Sequence, residues 1–373
     1  MSIDWIARAR SEVQGMHPYQ AGKPLKEAQR ELGVDKLVKL ASNENPHGPS
    51  QKVLAAIREE ALDCNRYPDS NGYYLKQMLA AQHGVEPAAI TLGNGSNDVL
   101  ELVASAYLDH RYSAVYSEYA FVVYQLAVQR SGARAKVAAA RDYAHDLEAM
   151  LNCVDADTRV VFIANPNNPT GGYLAEKDLL AFLAALDPGI VVVLDEAYYE
   201  YVAAQDYPSG VALQSQFSNL VVTRTFSKAH GLSGLRIGYA VSHPDIADAL
   251  NRVRAPFNVS SLALAAAQAA LADEAHIVQA VNTNDAGMQQ LTDGLEALGF
   301  WHIPSVANFI SFQAGGTGQH KHGAAALNQA LLSEGVIIRP LANYAMPDHL
   351  RVSIGLPEEN AFFLDKLAKL NSA

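Results

Sequence analysis

Lys228 is the residue from which chemistry can be read first. It stands in the stretch Arg224-Thr225-Phe226-Ser227-Lys228-Ala229-His230-Gly231-Leu232-Ser233-Gly234-Leu235-Arg236. Upstream, the apolar run Ile190-Val191-Val192-Val193-Leu194 stops abruptly at Asp195-Glu196-Ala197-Tyr198. A carboxylate set directly after an apolar run costs free energy unless it has a partner. An amine attacks an aldehyde only when neutral, and burial beside other cations depresses a lysine pKa enough for that. An amine facing a carboxylate at the mouth of a parallel sheet is the equipment for pyridoxal phosphate. The amine takes the aldehyde as a Schiff base, the carboxylate keeps the pyridine nitrogen protonated, and the ring becomes an electron sink. Thr225, Ser227 and Arg236 supply two hydroxyls and a guanidinium for a phosphate cradle.

Each residue also has a plainer reading. Lysine is usually an exposed loop residue, Arg236 is equally a surface charge, and Asp favours a helix N-cap. For Asp195 alone the two readings are even, and the pairing with Lys228 tips them toward chemistry. Gly93-Asn94-Gly95-Ser96-Asn97 lies between a strand and a helix that starts at Asp98. Free backbone N–H groups there suit an anion, although many such turns carry Gly and Ser for conformational reasons alone. Asn165-Pro166-Asn167-Asn168-Pro169-Thr170-Gly171 reads as a rigid turn, and rigidity would suit a fixed hydrogen bond from Asn168. Tyr119 suits either a stack on a flat ring or ordinary core packing.

These residues need elements to hold them. Ile90-Thr91-Leu92, Ala114-Val115-Tyr116, Val160 to Ile163, Ile190 to Leu194 and Leu220 to Thr223 are short apolar runs whose β-branching predicts buried strands. Helical segments between them imply crossovers and a mostly parallel sheet. In doubly wound sheets ligands sit beyond the carboxyl ends of the strands, where Asn97, Asp195 and the lysine loop all fall. After that loop a long helical stretch from about Ser260 to Gly299 leads into strands at Asn308 to Phe312, Val336 to Arg339 and Leu350 to Ile354. Pro357 to Leu370 reads as a closing helix. The expected organisation is an arm over 1–40 that belongs with the smaller lobe, a large lobe over 41–258 and a smaller α+β lobe over 259–373.

Composition narrows the function. A chain of 373 residues exceeds one ordinary core. A formal charge of -11 argues against nucleic acid as the main partner. Two cysteines, Cys64 and Cys153, give no disulfide framework, so a reducing cytoplasm is expected. The first residues lack the charged-then-apolar order of a signal peptide, and no uncharged apolar run approaches the roughly 20 residues of a membrane span. His320 and His322 have no further ligand cluster beside them, so no metal site is expected. No G-x-G-x-x-G follows an early strand, which disfavours a nicotinamide dehydrogenase.

The chain resembles the fold-type I pyridoxal-phosphate-dependent aminotransferases, specifically the histidinol-phosphate aminotransferase family. The resemblance rests on Asn43-Glu44-Asn45-Pro46, Asn65-Arg66-Tyr67-Pro68-Asp69, Asn167-Asn168-Pro169-Thr170-Gly171, Asp195-Glu196-Ala197-Tyr198 and Ser227-Lys228 through Arg236, in that order. It implies an α/β type I fold with a mostly parallel sheet of the seven-stranded type. It also implies that Lys228 carries the covalent link to the cofactor and moves the substrate proton, and that Asp195 pairs with the pyridine nitrogen. Tyr198 and Asn168 would bond the phenolic oxygen, and Tyr119 would stack on the ring. Ser96, Asn97, Thr225, Ser227 and Arg236 would hold the phosphate, and Tyr67 would reach the phosphate of a neighbouring subunit in a homodimer. Arg351 and Arg339 would contact acidic substrate groups, and Tyr19 would close over the substrate. Asn97-Asp98 and Ser117-Glu118 depart from the Asp-Glu and Pro-Thr common in relatives.

The expected reaction passes the amino group of L-histidinol phosphate to 2-oxoglutarate, giving imidazole acetol phosphate and glutamate. Aromatic amino acids are the alternative donors, since an imidazole pocket accepts a benzene ring at modest cost. A threonine-phosphate decarboxylase and a non-catalytic pyridoxal-phosphate-binding module are the remaining rivals. For the module, the segment before Tyr19 is expected to be too short for a DNA-binding domain.

Overall fold

The computed structural model describes residues 3–16, 27, 29–30, 36–315 and 323–372. Thirteen strands are named here in chain order: β1 Val38–Lys39, β2 Ile90–Gly93, β3 Ser113–Ser117, β4 Arg134–Ala138, β5 Thr158–Ala164, β6 Val191–Asp195, β7 Leu220–Thr225, β8 Gly238–Val241, β9 His302–Ile303, β10 Phe309–Gln313, β11 Val336–Ile337, β12 Arg339–Pro340 and β13 His349–Ser353.

The large sheet has seven strands in the order β2-β8-β7-β6-β5-β3-β4. Neighbours from β7 through β4 pair in parallel, while β8 runs antiparallel to both β7 and β2. The architecture is thus the α/β type expected. The central strands bury both faces, which is why they read as continuous Val/Ile/Leu runs rather than alternating ones. β4 and β8 escaped the pattern reading. β4 is an edge strand of largely exposed residues, with the charged Arg134 and Lys136 interrupting it, so no apolar run marks it. β8 is only four residues long and opens on Gly238.

Two hydrophobic clusters sandwich the sheet. One gathers Val160, Phe162 and Val193 with the helices Ser96–Tyr107 and Val122–Ser131. The other gathers Val161, Val192 and Val222 with Glu176–Ala185. A separate core forms on the C-terminal sheet, ordered β12-β13-β10-β9, around Phe312, Val352 and Phe363. β1 pairs in parallel with β11, so the end of the N-terminal arm joins this second core.

The helical stretch after Ser260 is two helices, Ser261–Leu271 and Glu274–Ala297, separated at Asp273. The Asp273 carboxylate accepts from Lys52 at 3.0 Å. Packing divides these two helices between the lobes. Ser261–Leu271 lies with Ile90, Leu92 and Val241 of the large sheet, although a division at 258/259 places it with the C-terminal lobe. Its Ala-rich surface is narrow enough to lie flat on the helix Gln51–Glu60. Among the described residues, no helix is long and apolar enough to cross a membrane.

Candidate active site

The carboxyl ends of β5, β6 and β7 meet at one cavity of about 190 Å³. A single water needs roughly 10–15 Å³ on this measure, so the space suits a ring-sized organic group. β6 delivers Asp195 to it, buried to 4 % exposure. Tyr124 donates to its Oδ2 and Thr223 to its Oδ1, each at 3.0 Å. Burial pushes the Asp195 carboxyl up from its usual value, and these two hydrogen bonds pull it back toward the charged form. The carboxylate is therefore fixed in orientation by neutral donors, and each oxygen retains acceptor capacity.

Lys228 enters the same cavity from the loop after β7, where its Nζ donates to the Ser42 carbonyl at 3.3 Å. Burial lowers its pKa to about 8, with the Arg351 and Arg236 guanidiniums adding to that and Glu44 and Asp195 opposing it. An amine so placed has a far larger neutral fraction near neutrality than an ordinary lysine, as a nucleophile requires.

A third group of residues forms an anion cradle. The helix Ser96–Tyr107 begins straight after Gly95, whose φ of +82° only glycine adopts freely. A Cβ at Gly95 would strike Arg236, and one at Gly238 would strike the Ser96 backbone nitrogen. The backbone is thus pared down where the helix N-terminus, Thr225, Ser227 and Arg236 converge. Arg236 itself holds φ +55°, a conformation costing about 1–3 kcal/mol for a residue with a Cβ. Its Nη1 donates to Ser227 Oγ at 3.2 Å and to the Ser233 carbonyl at 2.9 Å. Ser96, Asn97, Thr225, Ser227 and Arg236 all line the cavity.

The opposite wall comes partly from the C-terminal sheet. Arg339 and Arg351 face each other in the β12–β13 register, and both line the cavity. Arg351 donates from Nη1 to Asn168 Oδ1 at 2.5 Å and from Nη2 to the Ala41 carbonyl at 3.0 Å. Tyr198 is buried, which pushes its hydroxyl up to about 12. Asn43 donates to that hydroxyl at 2.9 Å. Asn43 stands in a recognised motif but has no role in the sequence reading. It holds φ +53° and shares hydrogen bonds with Ser353, which places it at the junction of both sheets.

One residue expected at this chain's own cavity lies elsewhere. Tyr119 is not part of the lining. Its ring stacks on Tyr143 with centroids 5.5 Å apart, and the aromatic residue of that segment that lines the cavity is Phe121. The helix that starts at Val122 turns Phe121 inward, while Tyr119 packs near Ile303 and Leu341 of the C-terminal part. Tyr67 is 84 % exposed, stacked on Phe257, and lies outside this chain's cavity. Tyr19 falls outside the described residues. Tyr344 lines the cavity beside Arg339 and was not expected, because no motif marks its segment.

An amine, a buried carboxylate, a ring-flanking aromatic and a glycine-pared anion cradle around one cavity fit pyridoxal phosphate in donor type at each end. The description "Aminotransferase class I and II" matches residues 35–367 of the sequence. The chain belongs to this aminotransferase family. Within it, the chain is 54% identical to histidinol-phosphate aminotransferase 2 of Pseudomonas fluorescens Pf-5, over 99% of both chains. It is 53% identical to histidinol-phosphate aminotransferase 2 of Pseudomonas aeruginosa PAO1, over 98% of each. The crystal structure of histidinol-phosphate aminotransferase from Sinorhizobium meliloti, in complex with pyridoxal-5'-phosphate, superposes with a TM-score of 0.88. That protein is 30% identical and 98% of each chain is covered. These likenesses place the chain in the histidinol-phosphate aminotransferase group of the larger family.

Proposed function

We propose that this aminotransferase binds pyridoxal phosphate and moves the amino group of L-histidinol phosphate to 2-oxoglutarate. One observation carries the reading: Lys228 and Asp195 line the same cavity, and the Arg339–Arg351 pair closes its far wall. The names of the full-length relatives support the choice of donor.

Bound there, pyridoxal phosphate supplies an electron sink for the electrons left when a proton leaves the donor's α-carbon. The chain's own groups do the rest. Lys228 links the cofactor and carries the proton, since its amine is held near the pH at which it can both take and give one. Asp195, fixed by Tyr124 and Thr223, holds the proton on the ring nitrogen. Tyr198 and Asn168 bond the ring's phenolic oxygen. Phe121, in the place first given to Tyr119, covers a ring face. Ser96, Asn97, Thr225, Ser227 and Arg236 hold the cofactor phosphate. Arg351 and Arg339 take the acidic groups of donor and acceptor, because a guanidinium suits both carboxylate and phosphate, and Tyr19 closes over them.

The functional unit in this reading is a cytoplasmic homodimer in which Tyr67 of each copy completes its neighbour's site. An aromatic side chain left 84 % exposed on this chain supports that. We divide the chain into lobes at 41–258 and 259–373, with 1–40 joining the latter; the helix Ser261–Leu271 belongs by sequence to the second lobe and packs across onto the first.

A second donor class has its own observation. Phe121 and Tyr344 bring two aromatic rings to the cavity, which would also suit phenylalanine or tyrosine. Measuring kcat/KM for histidinol phosphate, phenylalanine and tyrosine with 2-oxoglutarate as acceptor decides between them. Histidinol phosphate is expected to lead. A higher value for an aromatic amino acid transfers the assignment to that class, and CO2 release without a keto acid identifies a decarboxylase.

A further inference from the structure

Behind Asp195, on the face of the sheet turned away from the cavity, lies a buried ion pair that the reaction does not use. In the β6–β7 register Asp195 sits beside Thr223. Side chains alternate along a strand, so Thr223 and Thr225 share the cavity face and Arg224 points the other way. Glu196 likewise follows Asp195, and its backbone N–H donates to the Thr223 carbonyl at 2.9 Å. Arg224 donates from Nε at 2.9 Å and from Nη2 at 2.8 Å to the same Glu196 oxygen, Oε2. Glu196 is 0% exposed and Arg224 5%. Neither lines the cavity, although Asp195 and Thr225 beside them do.

The pair is tied at every side. Glu196 Oε1 accepts from the Gly210 backbone at 2.7 Å. The Tyr199 ring lies 3.4 Å from the guanidinium carbon. On the next strand Arg224 is in register with Tyr239, whose hydroxyl is 2.9 Å from His83 Nε2. A buried ion pair is a poor device for stability alone, since well-packed apolar residues of similar volume often hold a fold as well or better. Its advantage is direction: charge-assisted bonds through a planar guanidinium fix two backbones in one geometry.

We propose that Glu196 and Arg224 are a positioning pair. Locked behind the sheet, they set the spacing between Asp195 at the end of β6 and the Thr225-to-Lys228 segment at the end of β7. They thereby set the distance between the two grips on the cofactor. The proposal rests on the function proposed above, and it concerns residues that touch neither cofactor nor substrate.

The test replaces both members at once, E196M/R224M, so that no uncompensated charge is left buried. The apoprotein is melted, titrated with pyridoxal phosphate at the visible absorbance band, and followed over pH. kcat and KM are then measured on the loaded enzyme. The double variant is expected to melt at or above the wild-type temperature. It should bind pyridoxal phosphate about tenfold more weakly, with the pH midpoint of its band displaced. kcat should fall on the order of 10²-fold, as a misplacement of about 1 Å produces, with KM little changed. R224K keeps the charge but loses the planar fork, and is expected to show the same changes in smaller measure. A folded double variant with wild-type affinity, band midpoint and kcat overturns the proposal. If the double variant does not fold, a wild-type midpoint and kcat in R224K overturn it. Failure of the wild-type apoprotein to develop a visible band with pyridoxal phosphate would instead defeat the functional reading beneath it.

Discussion

Arg351 reaches from the C-terminal sheet to Asn168 in the turn after β5, at 2.5 Å, so one hydrogen bond joins the two sheets inside the cavity. The guanidinium is further anchored on the Ala41 carbonyl and lies 5.1 Å from the Phe309 ring. A cation held this way meets an anionic substrate without first having to be ordered, which is where preorganisation gains affinity.

Arg351→Ala is therefore expected to raise KM for histidinol phosphate, with pyridoxal phosphate affinity nearly unchanged. A hydrogen bond to a charged group is worth about 1.5–3 kcal/mol, which corresponds to roughly 10- to 100-fold. Steady-state kinetics and titration of the apoprotein check the two halves, and an unchanged KM removes Arg351 from substrate contact.

Asn168→Ala takes away the acceptor that aims Arg351. KM is expected to rise less than in Arg351→Ala, and the two changes should not add, because they act through one contact. A double-mutant cycle on KM measures this. Strict additivity would mean that the bond does not orient the guanidinium.

Lys228→Ala should abolish turnover and the visible absorbance band that the cofactor forms with its amine. Spectroscopy of the reconstituted variant beside an activity assay is sufficient. Turnover at the normal rate would assign the reactive amine to another residue.

Lys228 also has a predicted titration. Its pKa is lowered from 10.5 to about 8, first by burial and then by Arg351. Only the neutral amine reacts, so the rate at which an amine-directed reagent labels this residue in the apoprotein should rise with pH through about 8. In Arg351→Ala the midpoint should move up, since a nearby cation is gone. A wild-type midpoint close to 10.5 would contradict the burial seen here.

Phe121→Ala is expected to weaken pyridoxal phosphate binding by about tenfold, the loss of an aromatic contact and some buried area. Tyr119→Phe should leave it near wild type, because Tyr119 packs on Tyr143 outside the cavity. Titrating both apoproteins in parallel tests the exchange of roles. A larger effect at Tyr119 would restore the first assignment.

The chain by itself determined the strands of the large sheet that bury both faces, and with them the points where function sits. Burial is written locally: a run such as Val191 to Leu194 has to be covered on each side, and a carboxylate directly after it has to find a partner. That logic locates Asp195 and the lysine loop without any coordinates. The tertiary structure alone decided what met across the chain. It turned Phe121 rather than Tyr119 into the cavity and brought Asn43 against Tyr198 across 155 positions. It also paired Val38–Lys39 with Val336–Ile337 and laid Ser261–Leu271 on the large sheet. None of these is encoded in a local period. Each depends on how far a helix or strand rotates as it packs, and that rotation is fixed by side chains contributed from distant parts of the sequence.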